Sequence, residues 1–185
     1  TDQPVDPKDV RTAIEIATLA PSAHNRQAWK FVVVRQKNAE LAKLAYGPNY
    51  DQVMEAPVTI ALFTDTDLQK RARKIARVGG VKNFTDEQLQ YFMQSLPAEF
   101  ARYDAQQTSD YLALNAGLVA MNLVLALTDQ GIGTNIILGF DKSKINEVLG
   151  IEERFRPEVL ITVGYAAEKV EPSYRLPVDE IIEKR

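Results

Sequence analysis

The chain is organised around residues 20–34, which read Ala20-Pro21-Ser22-Ala23-His24-Asn25-Arg26-Gln27-Ala28-Trp29-Lys30-Phe31 and then Val32-Val33-Val34. This segment ends an amphipathic helix, makes a polar turn and enters a β-branched strand. Such a turn presents backbone N–H groups and short polar side chains together, so it could cradle a planar ligand that forms hydrogen bonds. It could equally be an ordinary loop whose tryptophan packs in the core, because loops carry both turns and function.

The composition excludes several kinds of site. With 185 residues, of which 45% are hydrophobic and 25% charged, the chain is predicted to form one globular domain over 1–185. A net charge of −3 argues against nucleic acid or an anionic membrane as the main partner. The absence of cysteine excludes disulfides, thiolate nucleophiles and cysteine-based zinc sites, and one histidine excludes a histidine-rich metal site. We expect a cytoplasmic protein without a secretory leader.

Helix and strand patterns alternate along the chain. Asp6-Pro7 is typical of a helix start, and the apolar positions that follow continue at helical spacing until Pro21. Strands are predicted at 31–35, 58–63, 134–138 and 158–165. Shorter helical segments are predicted at 38–46, 49–55 and 143–149.

Residues 65–107 differ in character from the rest of the chain. They contain a basic run, several aromatic residues and a capping-box helix start at Thr85-Asp86-Glu87-Gln88, but no strand pattern. We expect a helical excursion here, which is either a lid over a site or an insertion that covers core.

The most apolar helix is predicted over Tyr111 to Thr128, with Thr108 or Ser109 as its cap. Its apolar residues lie on nearly all sides, which is typical of a helix buried in a core, an interface or a membrane. Asn115 and Asn122 interrupt the run, which also falls short of the ~20 apolar residues of a membrane span. A chain of this size has little core in which to bury such a helix, so we expect it to be the central helix of a homodimer.

The residue inventory offers little protein-based chemistry. Gly131-Ile132-Gly133 lies between a helix and a following strand, the reverse of the order that a dinucleotide-binding fingerprint requires. There is no Gly-x-Ser-x-Gly motif, and the one histidine has no convincing nucleophile near it. We therefore expect the reactive group to be a bound cofactor that the protein binds and orients.

Several spaced motifs resemble the FMN-dependent nitroreductase family. The first is Ala20-Pro21-Ser22-x-x-Asn25-x-Gln27-x-Trp29-x-Phe31. The second runs from Gly131-Ile132-Gly133-Thr134 through Gly139-Phe140-Asp141 to Val148-Leu149-Gly150, and the third is the closing segment from Pro157 to Tyr165. Because they follow one another from the first helix to the tail, the resemblance covers essentially the whole chain.

The resemblance implies an α+β flavoprotein with a three-layer α/β/α fold, a mostly antiparallel central sheet and a long buried helix. It also implies an intertwined homodimer with two FMN sites at the subunit interface. NAD(P)H would reduce the flavin, which would then reduce nitro compounds, quinones or similar small-molecule acceptors by a ping-pong scheme.

The resemblance also implies roles for individual residues. The first motif would contact the isoalloxazine ring, Asn49 the pyrimidine edge, and the segment before Phe140 the N5 region, while a tail arginine would hold the phosphate. The implied cofactor-binding residues are Pro21, Ser22, Ala23, Asn25, Asn49, Leu138, Gly139 and Arg175. No protein residue is implied as catalytic, because the flavin carries the chemistry.

The sequence departs from the family pattern in a few places. The family opens with an arginine-rich segment, which we expect to precede Thr1 in the full protein. Gln52 stands where some members have lysine, and Leu138 where some have glutamate, so the substrate preference does not transfer. A flavin-binding storage or sensor protein without turnover, or a specialised flavin enzyme such as a reductive dehalogenase, remains an alternative.

Overall fold

The computed structural model describes residues 1–35, 39–81, 84–168 and 171–185. Four β-strands run through these residues: β1 (Trp29–Val34), β2 (Val58–Asp65), β3 (Gly133–Ile137) and β4 (Phe155–Gly164). The α-helices among them are α1 (Pro7–Ala17), α2 (Ala39–Ala42), α3 (Asn49–Glu55), α4 (Leu68–Val81), α5 (Asp86–Gln90), α6 (Leu96–Phe100), α7 (Ala105–Asp129) and α8 (Ile145–Leu149). Asn38, the first residue of one predicted helix, lies outside the described residues.

The strands form one antiparallel sheet in the order β1-β2-β4-β3. Strand β2 lies in the middle and is buried along its whole length. Its side chains alternate between two clusters: Ile60 and Leu62 face the cluster built with α1 and α7, while Ala61 and Phe63 face the one built with α2, α3 and α8. Helices therefore cover both faces of the sheet, and the predicted three-layer α/β/α fold is confirmed.

Strand β4 begins earlier than the sequence indicated. It starts at Phe155 rather than at Glu158 and includes Pro157. The register against β2 shifts between Leu62 and Phe63, which face Val159 and Pro157, so Glu158 is the extra residue of a bulge. Proline is tolerated at a bulge because its missing backbone N–H is not needed there for hydrogen bonding to the neighbouring strand. The strand can therefore include Pro157.

Helix α7 also begins earlier than predicted, and its expected cap was wrong. Asp104, not Thr108 or Ser109, is the N-cap. The Asp104 carboxylate accepts from the backbone N–H of Gln107 at 2.7 Å, and the Gln107 side chain accepts from the Asp104 N–H at 3.0 Å. This reciprocal capping box adds six residues before Tyr111.

Described residues between the end of β2 and the start of α7 are helical or irregular, as expected. Helices α4 and α6, with a π-helical turn at Tyr91–Ser95, enclose a small apolar cluster around Leu68, Leu96 and Phe100. Leu112 of α7 and Ala28, which precedes β1, complete this cluster. The excursion therefore packs against residues 20–34 through Ala28, while its role as a lid stays a prediction.

Candidate functional site

The loop between α1 and β1 has an unusual backbone. His24, Asn25 and Gln27 have φ values of 54°, 49° and 48°, in the left-handed region that non-glycine residues rarely adopt. Each such residue costs roughly 1–2 kcal/mol, although asparagine tolerates the region better than most. A conformation of this kind persists only where the surrounding structure holds it.

Two side chains of α7 hold the loop in place. The Ala23 N–H donates to Asn115 Oδ1 at 2.9 Å, and the Tyr111 hydroxyl donates to the Ala23 carbonyl at 2.6 Å. Within the loop, the Gln27 N–H donates to Ser22 Oγ at 3.0 Å. Pro21, Ala23 and Asn25 remain exposed, so this loop presents three of the predicted flavin residues outward.

Arg26 turns inward from the same loop. Its side chain is 0% exposed, its Nη1 donates to the Leu68 carbonyl at 2.7 Å, and its guanidinium lies 4.3 Å from the Phe100 ring centroid. Burial lowers the pKa of Arg26, and burial likewise raises the pKa of the neighbouring Tyr111 hydroxyl. Arg26 thus ties the loop to α4 and α6, a role that the sequence analysis missed because a loop arginine is ordinarily solvated.

A second group of predicted residues lies beyond β3. Asn49 Nδ2 donates to the Gly139 carbonyl at 3.2 Å, and the same carbonyl accepts from the Tyr46 N–H at 2.9 Å. A Cβ on Gly139 would lie 2.9 Å from Asn49 Nδ2, so any larger residue would displace the Asn49 amide. The Gly139 N–H has no acceptor among the residues that the structure describes. Leu138, beside it, is 67% exposed.

Two polar residues next to this group were not assigned as site residues from the sequence. Gln52, one turn after Asn49 in α3, accepts a hydrogen bond through Oε1 from Asn135 Nδ2 at 2.6 Å. Both side chains are exposed. Their separation of 83 positions in the sequence explains why no local pattern joined them. Only the resemblance, which placed Gln52 at a variable family position, pointed to that residue.

Arg175 lies apart from both groups. Its Nη1 donates to acceptors of Ser173 and Tyr174, in its own exposed tail. The eight predicted cofactor residues therefore fall into three sets: the loop, the Asn49–Gly139 group and the tail. Among the described parts of the chain, no hydrogen bond joins one set to another.

Helix α7 is long and apolar enough to cross a membrane, with a mean hydropathy of 1.7 over its most apolar window. Core helices of water-soluble proteins meet the same criterion, and one side of α7 packs in the core cluster with α1 and β2. The cytoplasmic location and the absence of membrane and nucleic-acid partners stay predictions. Among the residues described, no three acidic or histidine side chains are grouped so as to hold a metal ion.

Comparison with known proteins gives the family. The model of the family described as "Nitroreductase family" matches residues 1–165. The chain belongs to the nitroreductase family. This membership, with the four-stranded antiparallel sheet, confirms the predicted family and α+β fold.

Solved and curated relatives cover nearly the whole nitroreductase chain. A crystal structure of a nitroreductase family protein from Streptococcus pneumoniae TIGR4 is 85% identical, with a TM-score of 0.97, and the match covers 100% of this chain and 92% of that one. A Streptococcus pyogenes protein provisionally named an NAD(P)H nitroreductase is 64% identical over 100% of this chain and 92% of its own. A provisionally named nitroreductase from Exiguobacterium sibiricum, solved in complex with FMN, is 28% identical, with a TM-score of 0.87 and coverages of 99% and 89%.

Proposed function

We propose that this chain is an enzyme that binds FMN and uses NAD(P)H to reduce nitro compounds, quinones or related acceptors. The nitroreductase relatives named above support the NAD(P)H-dependent activity, and the FMN complex of the Exiguobacterium protein supports the cofactor. The observation that carries the proposal is the contact of the Asn49 amide with the Gly139 carbonyl, beside a backbone N–H for which the described residues provide no acceptor.

The Asn49–Gly139 group fits a flavin chemically. A flavin ring has an edge with carbonyl oxygens and an N3–H, and an asparagine amide offers both a donor and an acceptor to such an edge. The Gly139 N–H is a donor of the kind that the ring N5 would accept. Because a Cβ at Gly139 would crowd the Asn49 amide, the glycine keeps both groups available at once.

Bound FMN supplies the hydride chemistry, and the chain's residues bind and orient it. Asn49 and Gly139 would hold the ring edge, Arg175 would hold the phosphate as a bidentate cation, and exposed Leu138 would cover apolar ring surface. Hydride transfer depends on how the donor and the acceptor are positioned and needs no protein nucleophile. This agrees with a sequence in which no nucleophile motif was found. In a ping-pong scheme, NAD(P)+ would leave before the acceptor binds.

A homodimer would bring the three sets of predicted residues together. On α7, Leu114, Leu118, Met121 and Leu125 are exposed and spaced as one helical face, opposite the face in the core. An uncovered apolar face of this length favours a protein partner. The exposed tail also carries apolar side chains, such as Tyr174 and Ile181, with no core to enter. A second copy of the chain would cover both surfaces.

Purification under mild conditions tests the proposal. We expect a yellow protein whose visible flavin absorbance is bleached by NADH or NADPH without oxygen and restored by nitrofurazone or menadione. Parallel double-reciprocal plots would support the ping-pong scheme. Bound FMN that neither dinucleotide bleaches would favour a flavin-binding protein without turnover, and a colourless protein that takes up no FMN would overturn both readings.

A further inference from the structure

A basic pocket lies at the end of the sheet where β1 and β4 begin and β2 ends. Its volume is about 240 Å³. Its charged lining consists of Lys30, Lys70, Arg71, Lys74 and Arg154 with one carboxylate, Asp65. Five cations and one anion therefore surround a small cavity in a chain whose net charge is −3. None of the eight predicted flavin residues lines it.

The carboxylates near the pocket form their closest ion pairs with one arginine, Arg154. Both Asp65 oxygens accept from Arg154 Nη1 at 2.7 Å, and Glu152, outside the lining, accepts from Arg154 Nε at 3.1 Å. Lys30, Lys70 and Lys74 have no ion-pair partner among the described residues. The pocket therefore keeps a net positive charge, which Glu152 reduces at Lys30 and Lys70 without forming an ion pair with either.

Arg71 adds a donor without an acceptor. Its Nη2 donates to the Trp29 carbonyl at 2.7 Å, but its Nε is buried, lies 4.0 Å from Asp65 Oδ2 and has no hydrogen-bond partner in the described chain. Burial lowers the pKa of Arg71; the negative charge of Asp65 opposes this shift, and the positive charge of Arg154 adds to it. Buried polar groups are nearly always paired, so this unpaired donor beside excess positive charge is suited to an anionic acceptor.

Contacts with Phe155 hold two of the pocket cations, Lys30 and Arg154, in place. The Lys30 ammonium and the Arg154 guanidinium each lie 4.2 Å from the Phe155 ring centroid. Contact with the ring holds both groups without neutralising them. The pocket thus keeps its cations in defined positions while they remain able to bind an anion.

We propose that the basic pocket binds a phosphate group, either as inorganic phosphate or as the monoester of a small molecule. A phosphate dianion offers several strong acceptors, which suits two guanidinium groups and three ammonium groups around one cavity. Pockets that enclose whole drug-sized ligands measure about 300–1,000 Å³. A pocket of about 240 Å³ takes the anionic group and leaves any attached organic part outside.

Isothermal titration calorimetry with inorganic phosphate tests the proposal at constant ionic strength, with chloride as the balancing anion. The protein is used as purified, whether or not it is yellow, so the outcome does not depend on the proposed redox function. We expect saturable binding. The double substitution Lys70→Met/Lys74→Met removes two exposed cations of the pocket and should weaken binding by about tenfold.

The double substitution Lys8→Met/Lys43→Met is the matched control, because it removes the same charge from exposed positions on and after other helices. It should leave phosphate affinity unchanged within about twofold. A titration with adenosine 2′-phosphate distinguishes inorganic phosphate from a phosphate monoester. If this compound binds more tightly than inorganic phosphate, the pocket is assigned to an organic phosphate. If it binds equally or more weakly, the pocket is assigned to the free anion. Absence of saturable binding, or equal weakening in both double variants, would overturn the proposal.

Discussion

Replacing Asn115 with alanine should loosen the strained loop before β1. Asn115 is only 1% exposed, and its Oδ1 accepts the Ala23 N–H at 2.9 Å. Its Nδ2 also donates to the Tyr111 carbonyl one turn earlier in α7. Alanine keeps the helix intact but leaves the partly buried Ala23 N–H without its acceptor.

The expected magnitude follows from two opposing effects. Removing the buried Asn115 side chain loses both its hydrogen bonds and its packing, together about 1–3 kcal/mol, whereas alanine is a better helix former than asparagine by at most about 0.7 kcal/mol. The net loss should be about 1–2 kcal/mol, which for a chain of this length lowers Tm by roughly 2–8 °C. If the loop then samples other conformations, FMN affinity should fall by up to about tenfold, since about 1.4 kcal/mol corresponds to a factor of ten.

Thermal unfolding of the flavin-free protein and fluorescence titration with FMN measure the two effects separately. Asn122→Ala is the matched control: it makes the same change on the same helix at a half-buried residue for which no hydrogen bond is found among the described residues. This control should be neutral or slightly stabilising. If Asn115→Ala is as stable as Asn122→Ala and binds FMN equally well, Asn115 does not hold the loop.

Three further predictions concern the site and the assembly. Tyr111→Phe removes a hydrogen bond to the loop and should cost about 0.5–1.5 kcal/mol at neutral pH in urea unfolding. Burial raises the pKa of Tyr111 above the usual tyrosine value of about 10. The free energy of unfolding of the wild type should therefore fall as the pH rises above about 10, because the unfolded chain releases the tyrosine proton more readily than the folded one. The free energy of unfolding of the variant should fall less steeply in this range. Gly139→Ala should weaken FMN binding by about tenfold in a fluorescence titration, because its Cβ would meet Asn49 Nδ2 at 2.9 Å; unchanged affinity would exclude this group from the site. Leu118→Asp should convert a dimer to a monomer in light scattering after gel filtration, whereas Val78→Asp, also exposed, should not.

The central sheet could be predicted because its strands carry an unambiguous local signal. Runs of β-branched residues such as Val32-Val33-Val34 and Val58-Thr59-Ile60 leave few alternatives to a strand, although the three valines lie half-buried in the edge strand β1 and are not fully buried as their run indicates. The predicted ends of helices and strands were less accurate where a specific interaction lengthened the element. The bulge at Glu158 and the capping box at Asp104 both depend on contacts that composition and period do not reveal.

The candidate site was predictable only in part, because its polar contacts join distant segments. Asn49 and Gly139 are 90 residues apart, and Gln52 and Asn135 are 83 apart. Local sequence patterns show that each of these segments forms a turn or the start of a helix. They do not show which distant segment it contacts in the folded chain. The resemblance supplied Asn49 and Gly139 as a set, whereas the contribution of Asn135 became visible only when the chain was folded.

Helix α7 connects the loop, the core and the proposed assembly. Its inner face packs against α1 and the sheet, and Asn115 and Tyr111 hold the loop through Ala23. Its outer face, with Leu118 at its centre, is the surface that a second copy would cover. Any shift of α7 on assembly would therefore act on the loop through two hydrogen bonds, since both side chains that hold Ala23 belong to this one helix. Flavin binding and dimer formation should consequently be coupled, and Leu118→Asp should weaken FMN binding although Leu118 itself is not among the predicted flavin residues.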